Sequence, residues 1–327
     1  MGNLVSSVKA SALEVPAPFP LVSDDLSGKN VAEEEVANPG NMEDLHKKTK
    51  DIIPSTFDGA RIAMSKPLSQ QFQVVHTMTL LPSLTYPSGY RFTATYVDID
   101  MKNPQEPNSI LTGDVDPSGN VNATMIHQFG QRWRGKFQAQ MSQTNNMSGG
   151  QGILEYRGNR FTSSITGVNI DVVNNSGIMV LQHLYGVTPS IALGCEMACQ
   201  YGSNVPGGLL TFFSLAGRYT APDYTCSAVV GPAGANLCYY QKASDELQFG
   251  VELDSKIMKM SESVCTFAYQ ADIPKADVSI KAAIDSTWTV STVIEKKLQP
   301  LPVTLALCGS LNHSTSKFQL GCSFVVG

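Results

Sequence analysis

The sequence predicts an all-β protein, a transmembrane β-barrel of about nineteen strands. Three observations predict it. The final segment sets Phe318, Leu320, Cys322, Phe324 and Val326 on one face and Lys317, Gln319, Gly321 and Ser323 on the other, because successive strand side chains point to opposite sides. Such a strand needs an apolar medium on one side and a wetter space on the other. The same two-residue period recurs along the chain from about Phe57 onward. Finally, only 16% of residues are charged and the 42% apolar content is dispersed, so no run approaches the roughly 18 apolar residues that a membrane helix requires. That excludes a helical membrane protein but not a barrel, whose strands look nearly neutral in hydropathy.

The chain divides into three parts. Residues 1–40 are rich in Pro, Ser, Val and acids without a clear period and read as a disordered tail. Two lysines oppose six carboxylates there, whereas the remainder is close to neutral. The opening Met1-Gly2-Asn3-Leu4-Val5-Ser6 matches the myristoylation pattern, and neither a signal-peptide core nor an Arg-rich presequence is visible. Residues 41–56 read as an amphipathic helical segment: Asn41 is placed to cap it, Met42, Leu45, Thr49, Ile52 and Ile53 recur near helical spacing, and Pro54 ends it. It rests either on a surface or inside a barrel.

Residues 57–327 read as the barrel. Clear strands include Phe72–Leu80, Tyr90–Val97, Lys136–Gln143, Ser190–Tyr201, Leu247–Asp254 and Lys317–Val326, and weaker ones lie near Ala60–Ser65, Ile153–Arg157 and Leu237–Gln241. Sharing this stretch leaves roughly 14 residues for each strand and its turn, enough for the 9–11 residues that cross a bilayer. In Leu247–Asp254 one face is wholly apolar while the other carries Gln248, Glu252 and Asp254. A backbone in lipid must pair every polar group, which forces closure and leaves the polar face lining water. Tyr201, Tyr219, Tyr224 and Trp288 at strand ends suit interfacial girdles.

Other chemistry finds little support. The histidines His46, His76, His127, His183 and His313 are dispersed, and no GxSxG or phosphate-loop motif is present. No enzyme activity, cofactor or metal site is expected. The seven cysteines contain no CxxC pair and read as free wall thiols; Cys195 and Cys199 share a face with Met197. No basic tract indicates nucleic acid.

Several stretches resemble the channel-forming subunit of the translocase of the outer mitochondrial membrane, in its animal branch. They include Asn38-Pro39-Gly40, Phe72-Gln73-Val74-Val75-His76-Thr77, Tyr156-Arg157-Gly158, Asp285-Ser286-Thr287-Trp288 and Leu311-Asn312-His313, in matching order and spacing. The resemblance implies a nineteen-stranded barrel of the mitochondrial porin superfamily, with parallel first and last strands and an N-terminal segment, helix included, in the lumen. It also implies a barrel-sorting signal at Gln319, Gly321, Phe324 and Val326. Implied partners are precursor proteins with basic presequences, a receptor subunit, small single-helix subunits, another copy of the barrel and membrane lipid. The implied function is a protein-conducting channel of the mitochondrial outer membrane, with a metabolite- or ion-conducting porin as the alternative.

Alternation assigns inward acids at Glu155, Glu196, Glu252, Asp254 and Glu295, the candidate presequence-binding residues. It assigns inward bases at Arg61, Arg91, Lys136, Arg157, Arg218 and Lys281. That near balance places selectivity in spatial clustering. His76 and His127 fall on the outer face, which marks either contacts with helper subunits or an error in the assigned register.

Overall fold

A computed structural model of the chain describes residues 38–80, 88–99, 107–142, 147–171, 175–203, 205, 207–256 and 263–327. The myristoylation motif and nearly all of the expected tail lie outside them.

A short helix, α1 (Lys47–Lys50), precedes nineteen strands. The first seven are β1 (Gly59–Pro67), β2 (Phe72–Leu80), β3 (Gly89–Ile99), β4 (Pro107–Val115), β5 (Val121–Phe129), β6 (Trp133–Ser142) and β7 (Met147–Arg157). Then come β8 (Phe161–Asp171), β9 (Ser176–Gly186), β10 (Ile191–Tyr201), β11 (Leu209–Thr220), β12 (Tyr224–Gly231) and β13 (Gly234–Lys242). The last six are β14 (Leu247–Ser255), β15 (Val264–Ile273), β16 (Val278–Asp285), β17 (Thr289–Lys297), β18 (Val303–Asn312) and β19 (Lys317–Val326).

Every neighbouring pair is antiparallel except the closing one, in which β1 pairs with β19 in parallel, Ile62 beside Phe324 and Met64 beside Val326. Parallel closure follows from the odd count: alternation of direction returns the nineteenth strand in the direction of the first. The ring has no open edge, as a lipid-embedded backbone requires.

The registers carry one face assignment around the whole ring. Arg61 faces Ser323 across the seam, Ala268 faces Ala283, and Glu196 faces Ser214, all on the lumen side, while Ile62, Leu193, Phe267 and Phe324 share the outer side with many exposed apolar groups. Register shifts occur only near strand ends, between Asp98 and Ile99 and between Val168 and Asp171, where a bulge is tolerated best. Hairpins are short. In the β4–β5 turn Asp116 accepts bonds from the Ser118 and Asn120 amides and from Asn120 Nδ2, with Gly119 at φ 79 supplying the left-handed residue. Desolvation opposes ionisation of Asp116, but these bonds and the charge of Arg91 outweigh it and lower its pKa.

The expected helix over 41–56 is shorter than its apolar periodicity. Only Lys47–Lys50 is α-helical, flanked by tighter turns such as Leu45 N to Met42 O at 3.2 Å and Ile52 N to Thr49 O at 3.2 Å. His46, not Asn41, occupies the N-cap position, and its side chain makes no capping bond to the helix. So short a segment is not self-sustaining, and tertiary packing sets its shape. The periodic face does its expected job: Met42, Leu45, Thr49 and Ile52 are buried. Met42 and Leu45 pack with Leu184, Ala192 and Ala216, and Ile52 with Ala268 and Ala283, all lumen-facing wall positions.

Ile52 is 1% exposed, and its truncation leaves a cavity costing about 2–4 kcal/mol. We expect Ile52→Ala to raise amide exchange of residues 45–52 at least tenfold while β5–β7 amides are unchanged; hydrogen-exchange mass spectrometry of the reconstituted barrel measures it.

Candidate functional site

The lumen is the candidate site, and the chain's own N-terminal segment is its first occupant. Asn38 Nδ2 donates to the carbonyls of Gly158 and Phe161 at 2.7 and 3.1 Å, and Thr162 Oγ1 donates to Asn38 Oδ1 at 2.9 Å. Arg218 donates to the Pro39 carbonyl. Further along, His46 Nδ1 bonds Ser227 Oγ at 2.8 Å, Lys48 lies over the Tyr240 ring, and Lys281 donates to the Asp51 carbonyl. Near the seam, the Phe57 amide donates to Cys308 Sγ at 3.4 Å and the Cys308 thiol donates back to the Phe57 carbonyl at 3.0 Å. The segment enters at the mouth where residues 38 and 327 lie, here the near mouth, and crosses to the far mouth where β1 begins. Its contacts fall on the wall from β7 to β19, whereas the inward positions of β2–β6 include Thr77, Thr93, Thr95, Thr112, Thr124, Gln128 and Gln138.

All five acids assigned inward do face the lumen by register, but they are not one cluster. Glu252 and Asp254 are adjacent inward positions of β14 toward the far mouth. Glu196 sits at mid-height on β10 and accepts from Gln182 Nε2 at 2.7 Å. Glu295 is exposed on β17 toward the near mouth. Glu155, 7% exposed, is paired with Arg157 at 2.8 Å. Glu252 accepts from Asn236 Nδ2 at 3.0 Å, so Asp254 and Glu252 are the pair best placed to meet a cation together.

Sequence reading missed several inward charges at strand ends. Arg134 is one: the strand begins at Trp133 and not at Lys136, and Arg134 faces Glu155 from β6. Asp272, bonded to Ser279 and Gln270, and Asp285 are others; Asp114 is also inward, near the end of β4, and is paired with Arg91 at 3.7 Å. The signal was present, since two residues before a lumenal Lys136 is another lumenal position. At the near mouth Lys242 donates to Asp245 in the β13–β14 turn at 2.6 Å, and that bond and charge hold the Asp245 carboxyl below its usual range.

The outer wall is apolar with a biased aromatic girdle. Trp133 and Tyr156 lie 4.9 Å apart, Tyr156 and Phe161 5.8 Å, and Tyr219 and Tyr224 5.8 Å, all toward the near mouth. Tyr201 and Trp288 lie toward the far one. Three histidines face outward, each with Nδ1 bonded to a hydroxyl: His76 to Tyr90, His127 to Ser109 and His183 to Ser163. The seven cysteines are free; Cys195 and Cys199 are outward, while Cys238 and Cys308 are buried on the lumen side.

The segment proposed for sorting spans both faces of β19. Gln319 and Gly321 point inward, and Phe324 and Val326 point outward beside Ile62 and Met64 at the seam. Gly321 is spatially constrained: a Cβ there would collide with the Phe57 carbonyl and Cys308 Sγ.

A family model described as "Eukaryotic porin" matches residues 38–321, the stretch that forms the lumenal segment and nearly all of the ring. The chain belongs to the eukaryotic porin family. Among relatives of this porin, the mitochondrial import receptor subunit TOM40 homolog 2 of Drosophila melanogaster is 46% identical over 90% of the chain and 85% of its own length. The TOM40 homolog of Caenorhabditis elegans is 43% identical over 89% of the chain and 95% of its own length. The Homo sapiens homolog is 41% identical over 89% and 78%. Within the porin family the chain therefore belongs to the TOM40 group.

The two-way bond between Cys308 and Phe57 anchors the lumenal segment of this porin at its seam. Losing both bonds leaves half-buried backbone groups of Phe57 unmatched, at a cost of up to about 1 kcal/mol. Cys308→Ala is expected to speed exchange of the Phe57 amide at least tenfold, and Cys308→Ser, which preserves donor and acceptor, less than threefold, as read by amide exchange.

Proposed function

We propose that this porin is the protein-conducting channel of the mitochondrial outer membrane, passing nuclear-encoded precursor proteins from the cytosol to the intermembrane space. The observation that carries the reading is the close relation, over about nine-tenths of the chain, to subunits named for mitochondrial import. A nineteen-stranded closed ring with a polar inner face supports it, because barrel bore widens with strand number.

Transport needs contacts that are many and weak. Threonine and glutamine lining on β2–β6 provides neutral hydrogen-bonding groups, and Glu196, Glu252 and Asp254 provide the charge that attracts a basic presequence over a screening length of roughly 8 Å at physiological salt. Glu155 contributes less, since Arg157 already neutralises it. Outside, the hydroxyl-bonded imidazoles of His76, His127 and His183 suit contacts with membrane helices of a receptor subunit and small single-helix subunits, and a second barrel is a further partner. The sorting role of Gln319, Gly321, Phe324 and Val326 is supported by their position at the closing strand, where insertion is completed.

Carbonate extraction of mitochondria followed by native gel electrophoresis tests membrane integration and complex membership. Recovery in the extracted supernatant, or migration as a lone barrel, overturns the reading. In planar bilayers an import pore prefers cations and is blocked by presequence peptide, unlike a metabolite porin. Reversing Glu196 and Glu252 to Lys is expected to weaken presequence block at least tenfold with the barrel still assembled; unchanged block removes these residues from the path.

A further inference from the structure

The near mouth carries a cation cluster that presequence attraction does not explain. Arg132 follows the β5 end, Arg134 and Lys136 lie on β6, Arg157 closes β7, and Arg160 precedes β8. Register puts Arg134, Lys136 and Arg157 on the lumen side. Among the described residues of this arc the one carboxylate is Glu155, buried and held by Arg157. No acid among the described residues lies within ion-pair distance of Arg134, Lys136 or Arg160. The neighbouring inward groups are Gln128 on β5, Thr162 on β8, Leu184 on β9 and Arg218 on β11, and Arg218 is occupied by the Pro39 carbonyl. A basic presequence is repelled by this arc.

We propose that this arc is a docking site for an acidic polypeptide segment, presented from the near-mouth side by a partner protein. Three features select that ligand. The cluster spans three adjacent strands, about 10 Å at the usual strand spacing, which matches carboxylates on alternate residues of an extended chain and exceeds a single phosphate. It already receives a polar group of a chain segment: the Asn38 side chain bonds the Gly158 and Phe161 carbonyls, which lie on either side of Arg160 in sequence. And three of the five cations point into the lumen, away from lipid headgroups. Guanidinium groups are suited to bidentate carboxylate recognition. A cargo-repelling arc that binds an acidic partner recruits that partner to one side of the pore while keeping it off the acids of β14. The site stands independently of the import reading.

The test uses the full chain in nanodiscs, where both mouths are open, with fluorescein-labelled hexaglutamate and polarisation as readout. Arg134→Gln combined with Arg160→Gln removes two charges that hold no partner carboxylate, so folding is preserved. Lys275→Gln combined with Lys297→Gln removes two charges from the opposite side of the same mouth. Expected are at least tenfold weaker binding for the arginine pair, less than twofold for the lysine pair, and loss of binding as salt rises. Equal losses in both pairs reduce the site to the general field of the mouth and overturn the proposal. Full displacement of hexaglutamate by inorganic phosphate at equal charge assigns a small-anion site instead, and binding that appears only with anionic lipid in the disc assigns a headgroup site; either result also overturns it.

Discussion

Everything in this molecule depends on one constraint: within lipid there is no solvent to satisfy a peptide group, so each strand must be paired on both edges. With an odd strand count that demand is met only by a parallel join between β1 and β19. Parallel pairing is slightly weaker per residue than antiparallel, and here the join is backed from within. The Phe57 backbone lies over Gly321, bonded to Cys308 on the next strand. The seam, the lumenal segment and the glycine of the closing strand thus form one structural unit.

Closure also fixes the division of chemistry between the faces. A single residue of slip would exchange lumen for lipid along a whole strand, and the registers show none across the span; irregularities are kept to Asp98/Ile99 and Val168/Asp171. The outward charges on strands, such as Lys66 and Lys296, are near strand ends, where a charged tip reaches the interface. Inside, charge is grouped by sector: the arginines of β6–β8 gather at the near mouth, Asp254 and Asp285 lie toward the far mouth on β14 and β16, and Asp114 at that end is paired with Arg91.

Fold and strand number were legible because the two-residue period is the direct imprint of a wall between two solvents. The strand of Lys317–Val326 is correct to the residue. Face assignments of Glu196, Glu252 and Arg218 were equally legible, since parity needs no knowledge of neighbours. What alternation lacks is the second dimension. It places Glu155 inward yet is blind to Arg157 folding back on it, and it gives no sign that Glu252 and Glu295 belong to opposite ends of the bore. The helix was overread for a related reason. Its periodicity reports the apolar stripe that meets Leu184 and Ala268, and such a stripe is served as well by tight turns as by a continuous α-helix.

The odd ring has a bookkeeping consequence for topology. Traversing the membrane nineteen times leaves the beginning of β1 and the end of β19 on opposite sides, but the passage of residues 38–58 back through the bore brings residue 38 to the same mouth as residue 327. Viewed from that side, construction requires only hairpin tips to pierce the bilayer, and no flanking stretch has to be dragged through it. An even-membered ring achieves the same without a resident thread, so parity and plug are two expressions of a single topological choice.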